Sequence, residues 1–156
     1  AGGKLTTFAL MARDTLRAVA PVIGKLGPRP RVFDAYEGPS SWPDGLAEAE
    51  RLRLLGRHGP DCEALAAMDP TLHTSIGGAP VSWAELVHAA RDEAVQHLDD
   101  LLLRRVRLGF LLPRGGLDHV ARIRELVQPA LGWDDARWAV EQRDYERVWS
   151  QSYAGR

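Results

Sequence analysis

The sequence predicts an all-α fold of about five or six helices, preceded by a glycine turn and a first helix. Three observations support this class. Apolar residues recur at helical spacing along most of the chain, glycine and proline interrupt that period where helices would end, and no long stretch alternates apolar and polar residues as a half-buried strand does. With 156 residues, of which 45% are hydrophobic, the chain can bury a core of its own.

Composition excludes several classes of protein. The single cysteine, Cys62, rules out an intrachain disulfide, and a formal net charge of -1 lacks the basic excess of a general nucleic-acid binder. No apolar stretch approaches the roughly 20 residues that a membrane span needs, and no signal-peptide pattern opens the sequence. We therefore expect a soluble, cytoplasmic domain.

The first element is predicted to be a helix entered through a glycine turn. Gly2 and Gly3 open a flexible turn, and the apolar residues from Phe8 onward follow helical spacing. Either of the two threonines before Phe8 can cap this helix, which closes between about residues 20 and 26. Residues 27 to 45 are rich in glycine and proline and have no sustained period, which predicts a long ordered loop or linker.

The middle of the chain predicts two helices and a capped third. Leucines at helical spacing predict a helix over residues 44 to 57, ended by glycine and proline, and a short helix fits residues 61 to 68. Residues 76 to 81 predict a turn or a short extended piece. Ser82 and Glu85 then form an S-x-x-E capping box, in which each side chain bonds to the other residue's backbone N–H, so a helix begins there.

The last third of the chain predicts three more helical stretches. Apolar spacing continues from residue 96 to residue 108, with a local break near His97, and Gly109 and Pro113 end it. A helix then fits residues 117 to 131, kinked or restarted at its proline and followed by a glycine cap, and a final helix begins after Asp134. The aromatic residues of this final helix fall at helical spacing, which favours core packing over stacking platforms.

The histidines lack the spacings that typify metal or catalytic motifs. No two lie four residues apart, no H-E-x-x-H or C-x-x-C pattern occurs, and no G-x-S-x-G elbow supports a hydrolase. We therefore expect no metal site. Structural or exposed roles are expected for His58, His73, His88, His97 and His119.

Residues 99 to 107 combine acidic residues, leucines and arginines. On a helix, Asp100 lies one turn from Arg104, and a buried leucine stripe leaves Arg104 and Arg107 in solvent. The usual interpretation is an ion-paired amphipathic helix. The alternative is an arginine patch that docks against another domain or an anionic partner.

Three segments carry a resemblance to one enzyme family. They are G-G-K-L-T-T-F from Gly2, G-A-P with W-A-E-L-V-H-A-A-R-D-E from Gly78, and L-D-D-L-L-L-R-R-V-R-L-G from Leu98. The first resembles the G-G-K-x-T-T-[YF] segment that ends the flavin domain of FAD-dependent glycerol-3-phosphate dehydrogenases. The other two are similar to the C-terminal helical domain of that family, and the three segments occur in the family's order.

The resemblance implies an enzyme that oxidises sn-glycerol 3-phosphate to dihydroxyacetone phosphate, passing a hydride to FAD and then electrons to a membrane quinone. No G-x-G-x-x-G follows a strand in this sequence, so we interpret it as a C-terminal piece of that enzyme, inactive alone and not expected to retain FAD. Residues 1 to 26 would form the C-terminal end of the flavin domain, and residues 46 to 156 would form a helical cap domain. Residues 27 to 45 would be the linker or loop between them. The parent is expected in the cytoplasm or on the cytoplasmic face of a membrane.

By position in the matched motif, Gly2, Gly3, Lys4, Leu5 and Thr6 would line the flavin. Glycines let the backbone approach a ligand, and exposed amides at a helix start favour an anion or an electron-rich carbonyl. Lys4 would be catalytic, since its charge stabilises the negative charge that hydride transfer puts on the flavin pyrimidine edge. Alternatively or additionally, Lys4 meets the substrate phosphate.

A competing hypothesis belongs to another class of protein. The chain would be a free-standing helical module that binds a protein or a nucleic acid through Arg104, Arg107 and their basic neighbours. Such binding should weaken steeply with salt, because it depends on exposed charges.

Overall fold

The computed structural model of the protein describes residues 5 to 24, residue 27 and residues 36 to 154. The helices, in chain order, are α1 (Phe8–Ile23), α2 (Glu48–His58), α3 (Cys62–Ala66), α4 (Trp83–Asp92), α5 (Leu108–Leu111), α6 (Val120–Leu131) and α7 (Asp135–Ser152). Short 3₁₀ segments occupy Leu5–Thr7, Gly59–Asp61, Pro70–His73 and Pro113–His119, and a π-helical turn occupies Asp100–Arg105. Across these described ranges the strand-type pairing is a single bridge, Ser75 with Ser82, so the all-α prediction is confirmed.

The chain divides into two compact units, Ala1–Ala35 and Tyr36–Arg156. The predicted domain division at residues 26 and 45 stays a prediction. In the first unit, α1 follows directly on the Leu5–Thr7 turn and ends at Gly24, whose φ of +88° takes the backbone out of the helix. The side chains of α1 are all at least partly exposed. Its exposed large apolar residues are Phe8, Leu10, Leu16, Val19, Val22 and Ile23.

The main core of the second unit lies among α4, the π-helical turn, α5, α6 and α7. Helix α4 packs against α6, and the Pro113–His119 segment contacts α5, α6 and α7. The largest fully buried apolar residues of this core are Ile76, Leu86, Leu98, Leu101, Leu102, Leu108, Ile123, Trp138 and Tyr145. Trp138 and Tyr145 therefore serve in the core, as their spacing predicts.

A smaller core joins α2 and α3 to the start of α4. Its buried members are Leu54, Cys62, Leu65 and Ala84. Tyr36 and Trp42 pack against it from the segment that the sequence predicts to be a loop or linker. Residues 36 to 45 of this segment are further held where the Tyr36 hydroxyl and the Ser40 hydroxyl donate to the carboxylate of Glu63, at 3.1 and 3.0 Å.

Helix α2 begins later than predicted and ends close to its predicted end. It begins at Glu48 rather than at residue 44, because a turn with Gly45 at φ +78° comes first. Its last residue is His58, one beyond the predicted Arg57, and Gly59, whose φ is positive, closes the helix as its C-cap. The short helix that follows spans Cys62–Ala66, close to its predicted place.

The segment after α4 is less regular than predicted. The break near His97 is present, but a π-helical turn follows it, and Arg107 adopts a left-handed conformation before α5. Gly109 lies inside α5 and does not end a helix, contrary to the prediction. A Cβ at this position would stand 2.6 Å from the Tyr145 Oη and 2.5 Å from Leu103 Cδ2, so a larger residue would collide with both side chains. This glycine allows close packing of α5 against α7.

The last two helices follow the prediction closely. Helix α6 begins at Val120, three residues late, because Arg114, Gly115 and Gly116 take left-handed conformations just before it. It runs through Pro129 without restarting and ends at Gly132, which has the predicted left-handed cap conformation. Helix α7 has the predicted N-cap, Asp134, whose carboxylate accepts from the Arg137 backbone N–H at 2.7 Å.

Candidate functional site

The predicted flavin contacts fall at the start of the first unit. Gly2, Gly3 and Lys4 lie outside the described residues, while Leu5 and Thr6 lie in the turn immediately before α1. The first turn of α1 carries no acidic side chain, so nothing there neutralises the positive end of this 16-residue helix. That field suits an electron-rich ligand group, and Leu5 and Thr6 stay predicted contacts.

Elsewhere, the densest group of buried polar side chains surrounds Glu85 on the first turn of α4. Its carboxylate is fully buried and accepts two hydrogen bonds from the Arg53 guanidinium, at 2.8 and 2.5 Å. Arg53 lies on α2 and also donates to Glu50. The two helices are therefore joined by a bidentate ion pair, which is stronger and more directional than a single contact.

The predicted capping box supplies the remaining backbone contacts of Glu85. The Glu85 N–H donates to the Ser82 hydroxyl at 3.3 Å, and the Ser82 N–H donates to the Glu85 carboxylate at 2.8 Å, which confirms the box. Burial by itself opposes ionisation of Glu85. Hydrogen bonds from Arg53, from His58 and from the Ser82 backbone outweigh burial and hold the pKa of its carboxyl well below the ordinary value.

Two histidines meet beside this carboxylate. Nε2 of His58, the last residue of α2, lies 3.1 Å from Glu85 Oε1, and the ring of His88 stands edge-on to the ring of His58 with centroids 5.6 Å apart. Both side chains are almost wholly shielded from solvent. Spacing along the sequence gives no sign of this pairing, because the two residues come from helices separated by a long segment.

A second buried carboxylate, Glu141 on α7, holds the chain break near His97. It accepts from the Leu98 backbone N–H at 3.0 Å and lies 3.1 Å from His97 Nδ1 and 2.6 Å from the Arg137 guanidinium. Asp100 accepts from the His97 N–H at 2.9 Å from the other side. Glu141 thus replaces the missing helical hydrogen bonds of the break.

The arginines of the π-helical turn line a surface pocket of about 370 Å³ together with Arg57 of α2. Arg104 is paired with Asp99 and Asp100, as the sequence predicts for the second of these, and Arg104 and Arg107 are exposed. Arg57 donates to the backbone carbonyl of Arg105 at 2.9 Å. Arg57 also lies 3.6 Å from the Glu85 carboxylate, so two of the four guanidinium groups have acidic partners, and a pocket lined by four arginines favours an anionic group.

The buried carboxylates are poor candidates for acid–base chemistry. Glu85 and Glu141 each accept several hydrogen bonds and contact at least one guanidinium, so both act as fixed anions that hold backbone and helices.

In the described parts of the chain, none of the helices combines the length and the apolar content that a membrane crossing requires.

Comparison with known proteins confirms the resemblance found in the sequence. The family model described as the C-terminal domain of alpha-glycerophosphate oxidase matches residues 6–138. Glycerol-3-phosphate dehydrogenase 2 of Mycobacterium bovis is 33% identical over 153 residues, covering 87% of this chain and 26% of the relative. No solved structure gives a significant match.

Two further relatives agree. The glycerol-3-phosphate dehydrogenase of Mycobacterium leprae is 34% identical, covering 85% of this chain and 26% of its own length. The mitochondrial glycerol-3-phosphate dehydrogenase of Bos taurus is 28% identical, covering 88% of this chain and 21% of its own. The chain thus spans about a quarter of these proteins or less. Since the family model covers most of its length, the chain belongs to the family of C-terminal domains typified by that of alpha-glycerophosphate oxidase.

Proposed function

We propose that this chain is the C-terminal helical cap of an FAD-dependent, quinone-linked glycerol-3-phosphate dehydrogenase, inactive by itself. The parent enzyme would oxidise sn-glycerol 3-phosphate to dihydroxyacetone phosphate. The observation that carries the proposal is the match of a C-terminal family model over residues 6–138, together with much longer dehydrogenase relatives. A peripheral position on the cytoplasmic face of a membrane fits delivery of electrons to a quinone.

The internal chemistry of the described residues supports a packing role for the cap. Its two buried carboxylates are occupied by arginine, histidine and backbone donors, and its deepest aromatic residues fill the core. These groups hold helices together and present no reactive centre to solvent. A cap built in this way stabilises a neighbouring domain and leaves the redox chemistry to it.

The flavin domain of the parent enzyme is the proposed partner of the first unit. Six large apolar residues of α1 are between 39% and 88% exposed, and an apolar surface on one helix is what a missing neighbour would cover. In the parent, the turn before α1 would contact the cofactor through Gly2, Gly3, Lys4, Leu5 and Thr6. FAD, when bound, would accept the two electrons from glycerol 3-phosphate. The positive start of α1 favours the electron-rich edge of that ring.

Spectroscopy of two polypeptides tests the proposal. The 156-residue chain, purified alone, should show no flavin absorbance and no oxidation of glycerol 3-phosphate. The longer natural polypeptide should be yellow and should reduce a quinone analogue when glycerol 3-phosphate is added. A longer polypeptide that folds, binds no FAD and gives no such reduction would refute the proposed function.

Lys4 can be tested in the longer polypeptide against the other lysine of this chain, Lys25. We expect Lys4→Ala to lower turnover at least about tenfold, because it removes a charge beside developing negative charge. Lys25→Ala serves as the matched control and should leave the kinetics unchanged. If Lys4 contacts the substrate phosphate, its replacement should raise KM for glycerol 3-phosphate. If Lys4 contacts the flavin, its replacement should lower kcat. Unchanged kinetics for Lys4→Ala would remove it from the active site.

A second function remains a candidate because of the pocket that Arg57, Arg104, Arg105 and Arg107 line. The chain would then be a free-standing module that binds an acidic protein or a nucleic acid. Binding of an acidic peptide or an oligonucleotide by the 156-residue chain should fall steeply with salt and should be lost in Arg104→Ala/Arg107→Ala. If the same double substitution only weakens assembly of the longer enzyme, the pocket docks the flavin portion instead.

A further inference from the structure

The C-terminal ends of α2 and α4 bring three potential metal ligands together. One atom each from His58, His88 and Glu93 lies within 4.8 Å of the other two. His58 is the last residue of α2, and Glu93 is the C-cap of α4. Because the partial negative charge of a helix dipole concentrates at its C-terminal end, both helices favour a cation at this point.

The imidazole of His88 is buried, and one of its two ring nitrogens forms no hydrogen bond. Its side chain is only 4% exposed. Nδ1 lies 3.1 Å from Asp92 Oδ2 without forming a hydrogen bond, and Nε2 lies 3.9 Å from Asp61 Oδ2. Buried polar atoms of this kind are rare, since leaving one unpaired is costly. A cation placed between His88 and its neighbours would satisfy this nitrogen.

The other histidine is already oriented as metal-bound histidines are. Nε2 of His58 lies 3.1 Å from the Glu85 carboxylate, which is itself fixed by Arg53 and the Ser82 backbone. A carboxylate that engages one ring nitrogen fixes the ring and its tautomer, so Nδ1 is the nitrogen that remains for a cation. The fully buried Glu85 is therefore a supporting residue for the site.

We infer that His58, His88 and Glu93 bind one divalent transition-metal cation with the ligand preferences of zinc. Two imidazole nitrogens and one carboxylate oxygen form a common tetrahedral zinc set, with the fourth position left to water, and they are too rich in nitrogen for calcium or magnesium. Ligands of a tetrahedral zinc at the usual bond lengths are about 3.3 Å apart, so side-chain shifts of about an ångström close the site. This cation would fasten α2 to α4.

Direct titration of the 156-residue chain with zinc tests the site. After treatment with a chelator, the protein should bind one zinc ion in isothermal titration calorimetry, and the bound metal should survive gel filtration. Cobalt as a probe should give the intense visible absorption of a four-coordinate Co²⁺ site. Zinc binding should also release protons, because the imidazoles must be neutral to bind.

Matched variants separate this site from adventitious binding to surface histidines. His58→Gln and Glu93→Gln should each weaken zinc binding roughly tenfold or more and abolish the cobalt spectrum. The controls are His97→Gln, an exposed histidine beside another buried glutamate, and Glu146→Gln, an exposed glutamate of α7; both should bind as the parent does. Circular dichroism establishes that each variant is folded.

The half-buried Glu93 decides the outcome if His58→Gln fails to fold, because its replacement leaves the Glu85 contacts intact. Two results would overturn the inference: no zinc binding by the chelator-treated parent, or zinc binding and cobalt spectra that persist unchanged in folded Glu93→Gln. Neither readout needs flavin or dehydrogenase activity, so the test is independent of the proposed function.

Discussion

Glu85 and Glu141 are both buried carboxylates that face an arginine, a histidine and a backbone N–H, yet their surroundings differ. Glu85 is wholly inside the protein and receives a bidentate bond from Arg53, whose side chain is only 23% exposed. Glu141 faces Arg137 and His97, whose side chains are 46% and 61% exposed. One carboxylate therefore belongs to a shielded network, and the other borders on water.

The difference in solvent exposure between the partners of Glu85 and those of Glu141 determines how much each ion pair contributes to stability. Solvent screens the Glu141 ion pairs, so its main contribution is the hydrogen bond to the Leu98 backbone in the break between α4 and the π-helical turn. In the Glu85 network the carboxylate itself is shielded from water, and its removal leaves Arg53 with the half-buried Glu50 as its remaining carboxylate partner. The two sites should respond differently to the same substitution.

The largest expected effect is that of Glu85→Gln. This variant leaves Arg53 facing a neutral amide on one side and Glu50 on the other, and we expect it to lower the free energy of unfolding by about 3 kcal/mol. Urea denaturation followed by circular dichroism measures the loss. In the double variant Glu85→Gln/Arg53→Met part of the stability should return, because the guanidinium that faced a neutral amide is gone and the half-buried Glu50 can reach solvent. A loss below about 1 kcal/mol for Glu85→Gln would show that the network is already hydrated.

A smaller effect is expected for Glu141→Gln. The amide oxygen can still accept from the Leu98 N–H, so the loss should be about 1–2 kcal/mol, from the weaker hydrogen bond and the missing charge. Salt sharpens the contrast between the two carboxylates. In about 1 M salt the penalty of Glu141→Gln should shrink, whereas that of Glu85→Gln should persist, since salt screens exposed pairs best. Equal salt dependence would contradict the distinction.

How far the sequence predicts these two sites depends on the range of the contacts. The Ser82–Glu85 box is predictable because its partners lie within one helical turn, and so is the cap at Asp134. The partners of Glu85 on α2 and of Glu141 near His97 depend on how distant helices pack, which no local pattern records.

The fold shows the same limit. Apolar spacing predicts the helices, but not the π-helical turn or the left-handed Arg107, because that spacing marks buried positions and does not fix the backbone hydrogen-bond pattern between them. The predicted flavin contacts Gly2 to Lys4 rest on a motif, and they lie outside the described residues. Their test is chemical, through the longer polypeptide.

The hydroxyl of Tyr145 on α7 is a buried polar group without charge, and it can be compared with the two buried carboxylates. Tyr145 is 1% exposed, and its hydroxyl donates to the Gly115 carbonyl at 2.6 Å, while burial raises its pKa. Tyr145→Phe leaves that carbonyl unpaired and should cost about 1–2 kcal/mol in urea denaturation. Tyr153→Phe, at an exposed tyrosine, is the matched control and should change stability by less than about 0.5 kcal/mol. Similar losses in both variants would deny a special role to the hydrogen bond.

The smallest expected effect concerns His73, a half-buried histidine whose main polar partner is the backbone of Met68, in contrast to His58 and His97, which lie beside buried carboxylates. Burial lowers the pKa of His73, and a hydrogen bond with the Met68 backbone and the charges of nearby carboxylates offset this only in part. Since the unfolded chain takes up the proton near pH 6.5 and the folded chain only at lower pH, stability is complete above pH 6.5 and falls as the pH drops through the folded pKa. His73→Phe should remove part of this slope, while stability at pH 7 should fall by at most about 1 kcal/mol, since one hydrogen bond with the Met68 backbone is lost. Denaturation midpoints of parent and variant between about pH 7 and pH 5 measure the difference, and parallel profiles would show that His73 is accessible to protons in the folded state.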